Sequence, residues 1–152
     1  MAEDFEPYMR AALEAAQAAA EAGEVPVGAV IVDPANGEIV AIAGNAPIAG
    51  QDPTAHAEIC AIRKAADKLG NYRLTGLELY VTLEPCAMCA GAISFARLRR
   101  LIYGAADSKG GAVEHGPRFF EQPTCHWRPE VISGVLADDC SSLLTSFFRE
   151  RR

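Results

Sequence analysis

The 152-residue sequence has no apolar run approaching the roughly 18 residues that a membrane-spanning helix needs. We therefore expect no membrane association. The opening residues, MAEDFEPYMR, lack the apolar segment of a secretory signal, so a cytoplasmic protein is expected. No internal repeat, low-complexity stretch or linker interrupts the chain, and residues 1–152 read as one domain. A disulfide framework is also missing. The five cysteines are odd in number, and only Cys86 and Cys89 are closely spaced, which fits a reducing compartment. What is present is the apolar half that a packed core requires: 50% hydrophobic and 22% charged residues exclude a fully disordered chain.

The net charge of −6 argues at first against a nucleic-acid partner. Its distribution is uneven. Residues 1–58 carry ten acids and one base; residues 59–152 carry ten acids and thirteen bases. Arg97, Arg99 and Arg100 cluster, and Arg149, Arg151 and Arg152 close the chain. Such asymmetry permits a local basic face, although solvated helix ends would give the same pattern.

Periodicity predicts the elements in order. Phe5, Tyr8, Met9, Ala12, Leu13, Ala16, Ala19 and Ala20 share one face of a helix over 4–22. A β-branched run at 25–33 predicts a strand, Asn36-Gly37 a hairpin turn, and 38–44 the returning strand. Thr54 is the expected cap of a helix running to Leu69 and stopping at Gly70. Strands follow at 77–83 and 100–103, with a short helix from Cys86 to Ala96 between them. Residues 105–129 read as irregular, 131–135 as a fifth strand and 136–151 as a last amphipathic helix. The expected fold is α/β: a mixed five-stranded sheet with helices on both faces, a three-layer α/β/α arrangement.

Two segments carry chemistry, Thr54-Ala55-His56-Ala57-Glu58 and Glu84-Pro85-Cys86-Ala87-Met88-Cys89. Two cysteines three apart at a helix start can grip one metal ion, because backbone N–H groups stabilise the thiolates there. The same spacing also suits a redox pair or small buried side chains. His56 opens another expected helix, where a satisfied structural role is the ordinary one. Where helix N-termini converge at one end of a sheet, its imidazole completes a His/Cys/Cys set. Structural zinc is usually closed by four protein ligands, whereas catalytic zinc keeps one position for water. No fourth ligand stands near either segment. Cys125-His126 lies in a Gly/Pro-rich stretch and reads better as packing or pocket wall. Glu58, alone, is an acid in a first helical turn, favoured by the helix dipole. Beside an open zinc position it is a proton shuttle, and zinc brings the pKa of water from 15.7 towards ~7. H-x-E combined with P-C-x-x-C is the signature of zinc deaminases that act on nucleobases. The signature, rather than the spacing, names the chemistry.

The chain resembles the bacterial tRNA-specific adenosine deaminases of the cytidine deaminase-like superfamily. The likeness runs through VPVGAVIV at 25–32, GNAPI at 44–48, DPTAHAEI at 52–59, NYRL at 71–74, LYVTLEPCAMCAGAI at 79–93, YGAADSKGGA at 103–112 and FFRERR at 147–152. It implies a cytidine deaminase-like fold and one Zn²⁺ per subunit on His56, Cys86 and Cys89. It implies Glu58 as the catalytic acid/base, Asn45 as a hydrogen-bonding partner of the target base, and the backbone around Ala57 as a reader of its edge. Asp107, Ser108 and Lys109 match a loop bordering the nucleotide pocket. Phe147, Phe148 and Arg149 match a terminal helix that touches the anticodon stem-loop of a tRNA. A homodimer is implied as well. The implied reaction is hydrolysis of a wobble adenosine to inosine. Two other readings stay open: a deaminase of free guanine, cytosine or a similar base with the same zinc chemistry, and a zinc-stabilised binding module without catalysis. Glu58 weighs against the module, and the basic aromatic end weighs against the free-base enzyme. One of the two phenylalanines is also expected in the core, because they end an amphipathic helix.

Overall fold

The computed structural model describes residues 4–151; Arg152, counted above in the basic chain end, lies outside them. Its elements are α1 (Glu6–Glu21), β1 (Gly28–Asp33), β2 (Glu38–Gly44), a four-residue α2 (Pro47–Gly50), α3 (Ala57–Leu69), β3 (Glu78–Leu83), α4 (Ala87–Ala96), β4 (Arg100–Ala105), β5 (Glu130–Ile132) and α5 (Ala137–Glu150). The five strands form one sheet in the order β2-β1-β3-β4-β5. β1 is antiparallel to both β2 and β3, while β3, β4 and β5 are parallel. The carboxyl ends of β2, β3 and β4 therefore lie at one end of the sheet, beside the start of β1.

Alternation along the strands divides the core into two layers. Ala29, Ile31, Leu79, Val81, Leu101 and Tyr103 pack with Ala57, Ala61 and Ala65 of α3 and Ala90, Ile93 and Ala96 of α4. Val30, Val32, Tyr80 and Ile102 face the other way, onto Met9 and Ala12 of α1 and Cys140 of α5. Helices thus cover both faces, as the apolar character of the central strands requires. The expected three-layer arrangement is the observed one.

α1 reaches the sheet because its inward face is small. Met9, Ala12, Ala16 and Ala19 are its buried residues. They lie across Gly28 and Gly44, which are cross-strand partners in the β1–β2 pair. A Cβ at Gly28 would collide with the Ala12 carbonyl oxygen and lie 2.6 Å from the Ala16 nitrogen; one at Gly44 would lie 2.9 Å from the Ala15 oxygen. Backbone meets backbone here, so no side chain can yield. Gly28→Ala is expected to lower stability by about 1–3 kcal/mol or more, read as a fall in the urea midpoint. Midpoints equal to the parent's would show that α1 can ride outward without cost.

The structure shifts several expected boundaries. The cap of α3 is His56, not Thr54. Thr54 is drawn into a turn instead, its N–H and Oγ1 both donating to Asp52 Oδ1 at 2.9 and 2.7 Å. β4 continues to Ala105, because it pairs with β3 as far as Leu83. β5 is Glu130–Ile132 rather than 131–135, since its ladder with β4 ends at Ile102–Ile132. The irregular stretch holds a 3-10 turn at Phe119–Glu121, with Phe120 buried. The arginine cluster forms no open basic face. Arg100 is buried, with its guanidinium 2.7 Å from Glu130 and 3.4 Å from Glu78, and Arg99 also pairs with Glu78. Arg97 lies over the Trp127 ring. Burial of Glu78 at the start of β3 demands these partners.

Candidate active site

Two helices begin at the carboxyl end of the sheet, and the extended residue before each is a candidate ligand. Cys86 caps α4 directly after β3, and His56 caps α3. Neither cap uses its side chain on its own helix, which leaves both free to face each other. Cys89 follows one turn into α4 and is fully buried. The His56 Nδ1 atom lies 3.6 Å from Cys86 Sγ and 3.5 Å from Cys89 Sγ, and the three ligand atoms lie within 4.8 Å of one another. Tetrahedral zinc, with bonds of ~2.3 Å to sulfur and ~2.0–2.1 Å to nitrogen, sets its sulfur and nitrogen ligands roughly 3.5 Å apart. The donor set therefore fits zinc in kind and in spacing. Among the described residues it is the one His/Cys/Asp/Glu group with such convergence. Cys125 is buried elsewhere, its Sγ donating to the Trp127 carbonyl, and His126 is exposed.

The electrostatics suit a cation. The Cys89 thiol donates to the Cys86 sulfur and brings the Cys86 thiol down to about 5, and the backbone N–H of Cys89 and nearby His56 act the same way. Cys89 is itself pushed up, first by that hydrogen bond to Cys86 and then by burial. One thiolate thus already exists at neutral pH, and a divalent ion would displace the remaining proton. Glu58 lies in the first turn of α3 and is buried. Burial pushes its carboxyl up to about 7, against the opposing pull of its own backbone N–H.

His56, Cys86 and Glu58 line a cavity of about 380 Å³, together with Val25, Val27, Asn45, Pro47, Leu83, Glu84, Asp107 and Gly110, while Cys89 lies buried behind them. The volume is at the small end for ligand pockets, and its walls are largely apolar with a few polar groups. Asn45 follows β2. Its Oδ1 accepts the Ala57 N–H at 2.8 Å, so its amide NH₂ is the half left for a ligand. Ala57 enters the site as the group that orients Asn45. Glu24 is buried behind the Pro47 wall and accepts the N–H groups of Ile48 and Ala49 at 3.2 and 2.8 Å. Sequence reasoning missed Glu24 and Glu84, because an acid bonded to distant backbone leaves no local pattern. Burial works to raise the Glu84 carboxyl, but N–H donors from Asp107, His115, Glu114 and Val113 hold it below the usual range.

The other expected residues divide. Asp107 borders the cavity, and its Oδ1 accepts the N–H groups of Lys109 and Gly110 at 3.1 and 2.9 Å. Ser108 and Lys109 are exposed and lie outside the cavity lining. On α5, Phe147 is buried under the Arg151 guanidinium, so it is a core residue rather than an open contact. Amphipathicity decides this, since Phe147 falls on the inward stripe. Phe148 is half-exposed and Arg149 exposed, and neither lines the cavity.

The comparisons agree with this geometry. The family model for the cytidine and deoxycytidylate deaminase zinc-binding region matches residues 2–105. A protein of Agrobacterium fabrum named tRNA-specific adenosine deaminase is 56% identical over 145 residues, covering 95% of this chain and 94% of its own. A solved structure from work on A-to-I editing by tRNA:A34 deaminases at the wobble position is 55% identical, with a TM-score of 0.88 and coverage of 91% of this chain and 99% of that one. A guanine deaminase structure from Bacillus subtilis is 34% identical with a TM-score of 0.65, covering 97% and 95%. Fold, spacing and likeness over nearly the whole length converge, and the chain belongs to the cytidine and deoxycytidylate deaminase family of zinc enzymes.

Proposed function

We propose that this protein hydrolyses adenosine to inosine at the wobble position of a tRNA anticodon, with zinc on His56, Cys86 and Cys89 and with Glu58 as the proton carrier. The observation that carries the chemistry is the convergence of the three ligand atoms on a cavity that also holds a buried carboxyl. Identity of 56% over 95% of the chain to a protein named for that substrate carries the choice of substrate. When bound, zinc supplies the hydrolytic nucleophile at neutral pH.

The chain's residues do the rest. A carboxyl raised to about 7 holds and releases a proton with similar ease near neutrality. Glu58 takes the proton of the attacking water and returns it to the purine ring nitrogen beside the attacked carbon. It then moves a proton to the exocyclic amine, which leaves as ammonia while the carbonyl of inosine forms. The Asn45 NH₂, fixed by the Ala57 N–H, donates to a ring acceptor such as purine N7. The apolar walls exclude bulk water from the displaced base. An anticodon loop is single-stranded, so extruding the base costs less there than from a duplex. Phe148 and Arg149 on α5 present a stacking face and a phosphate partner to that loop.

The homodimer belongs to this reading. Met88 and Phe95 are exposed apolar residues on α4, the helix that carries Cys89, and a second copy would cover them. One ligand cluster supports one zinc per subunit. No helix among the described residues is long and apolar enough to cross a membrane. Five free cysteines support the cytoplasmic assignment.

The test is ammonia release by zinc-loaded protein from an anticodon stem-loop with adenosine at the wobble position, beside free adenosine, guanine and cytosine. Release from the RNA alone, with inosine at that position, is expected. Release from a free base alone would place the protein with the guanine deaminases.

A further inference from the structure

Glu84 is one of the most deeply buried side chains in the molecule, and the zinc chemistry does not use it. Its Oε1 accepts the Asp107 N–H at 3.0 Å and lies 2.8 Å from His115 Nδ1. Its Oε2 accepts the N–H groups of Val113, Glu114 and His115 at 3.1, 2.9 and 3.1 Å. Both ends of the 107–115 loop thus close on one carboxylate. The loop's first half closes on itself, with Lys109 and Gly110 donating to Asp107 Oδ1 and Gly111 to the Asp107 carbonyl at 3.0 Å, and Ala112 ties it to the segment after β3 by donating to the Pro85 carbonyl at 2.8 Å. Gly111 presses against the same group, since a Cβ there would lie 2.5 Å from Glu84 Cδ.

We propose that Glu84 is a positioning residue, a buried carboxylate clamp that holds the 107–115 loop as a preformed wall of the nucleotide pocket and so sets RNA affinity rather than the chemical step. Asp107 and Gly110 are the wall residues that it places. Ala112 and Val113 pack inward, but residues 107–110, which supply the cavity wall, include no buried side chain; without the clamp they would sample open states, and their ordering would be charged against binding. Only a carboxylate suits the place. It offers acceptors on both oxygens to donors that converge from both loop ends, whereas a glutamine turns an NH₂ towards at least one N–H. The RNA readout rests on the proposed function; the loop readout does not.

The experiment compares parent and Glu84→Gln, both zinc-loaded. Lys109 is exposed in the middle of the loop and gives trypsin a local reporter, with the cut mapped by mass spectrometry. Cleavage at Lys109 is expected to quicken about tenfold or more, as a weakened loop opens more often. KM for the stem-loop is expected to rise about tenfold with kcat changed less than about threefold, and zinc content is expected to hold. Unchanged cleavage at Lys109 overturns the clamp, whatever the substrate proves to be. Faster cleavage with unchanged KM overturns its role in affinity. Loss of zinc together with a matching fall in kcat shows a general support of the metal segment and also overturns it. Should Glu84→Gln not fold, His115→Ala removes one of the contacts and keeps the four backbone bonds. It should move cleavage and KM in the same direction by about two- to fivefold, and no change in either sinks the proposal. If the parent does not deaminate RNA, the proposed function fails while Lys109 cleavage still judges the clamp.

Discussion

Glu58→Ala is expected to lower kcat by about 10²–10⁴-fold while zinc content stays at the parent level. The carboxyl is not a ligand in the proposed set, so its removal leaves the His56, Cys86 and Cys89 atoms where they are. What disappears is the group that takes and returns the proton. Stability should not fall with the rate. Burial raises the Glu58 pKa from 4.5 to about 7 in the folded chain. The unfolded chain therefore binds fewer protons than the folded chain between these values, and stability declines as pH rises through that window. Above it, the ionised Glu58 costs the metal-free fold on the order of a few kcal/mol. Glu58→Gln, which keeps the shape without the charge, is expected to melt at or above the parent temperature at pH 8 after chelation. Steady-state rates, zinc analysis and melting curves read the three quantities separately. Near-parental kcat in either variant would remove Glu58 from the mechanism. A large loss of zinc would make it part of the metal site instead.

Cys86→Ala is expected to fail in the complementary way, with zinc content near zero and activity at background. Cys86 is the thiolate already present before metal arrives, held down to about 5 by the Cys89 thiol. Deleting it removes the anionic donor and leaves a two-ligand site that cannot compete for the ion. Metal binding free energy is also folding free energy where ligands come from separate elements. The parent should therefore lose thermal stability on chelation, and Cys86→Ala should show a lowered midpoint that chelator lowers no further. A variant that retains zinc and rate would mean that another donor replaces Cys86. Together, the Glu58 and Cys86 variants separate proton transfer from metal retention, because one keeps the ion and the other does not.

Much of the site is legible in one dimension because its parts are short and local. His56 and Glu58 sit two residues apart and Cys86 and Cys89 three apart, each pair at a helix start announced by its neighbours. The core was legible for the same reason. The helical spacing of α1 placed Met9, Ala12, Ala16 and Ala19 on its inward face, and the apolar run of β1 announced a strand buried on both sides, although only the structure assigned its residues to one layer or the other. Errors fell where periodicity stops. Thr54 looked like a helix cap, but a turn around Asp52 captured it and passed the cap to His56. Charge alone left Arg97, Arg99 and Arg100 open between a basic face and solvated helix ends, and the fold chose neither for Arg99 and Arg100 by bringing Glu78 and Glu130 beside them. Phe147 and Phe148 are adjacent in sequence, and the structure covers Phe147, seven residues after the buried Cys140 on the same face of α5, and leaves Phe148 half-exposed.

The sequence by itself determined which atoms are available for chemistry and which elements carry them: two thiols, one imidazole and one carboxyl at two helix starts. The tertiary structure alone decided that these starts meet, that Asn45 turns its NH₂ outward, and that Glu24 and Glu84 hold the pocket walls. The physical reason is range. A helix or a strand is selected by neighbours a few residues away. A buried carboxylate is satisfied by whatever N–H groups the fold delivers, here from 23 to 31 residues along the chain.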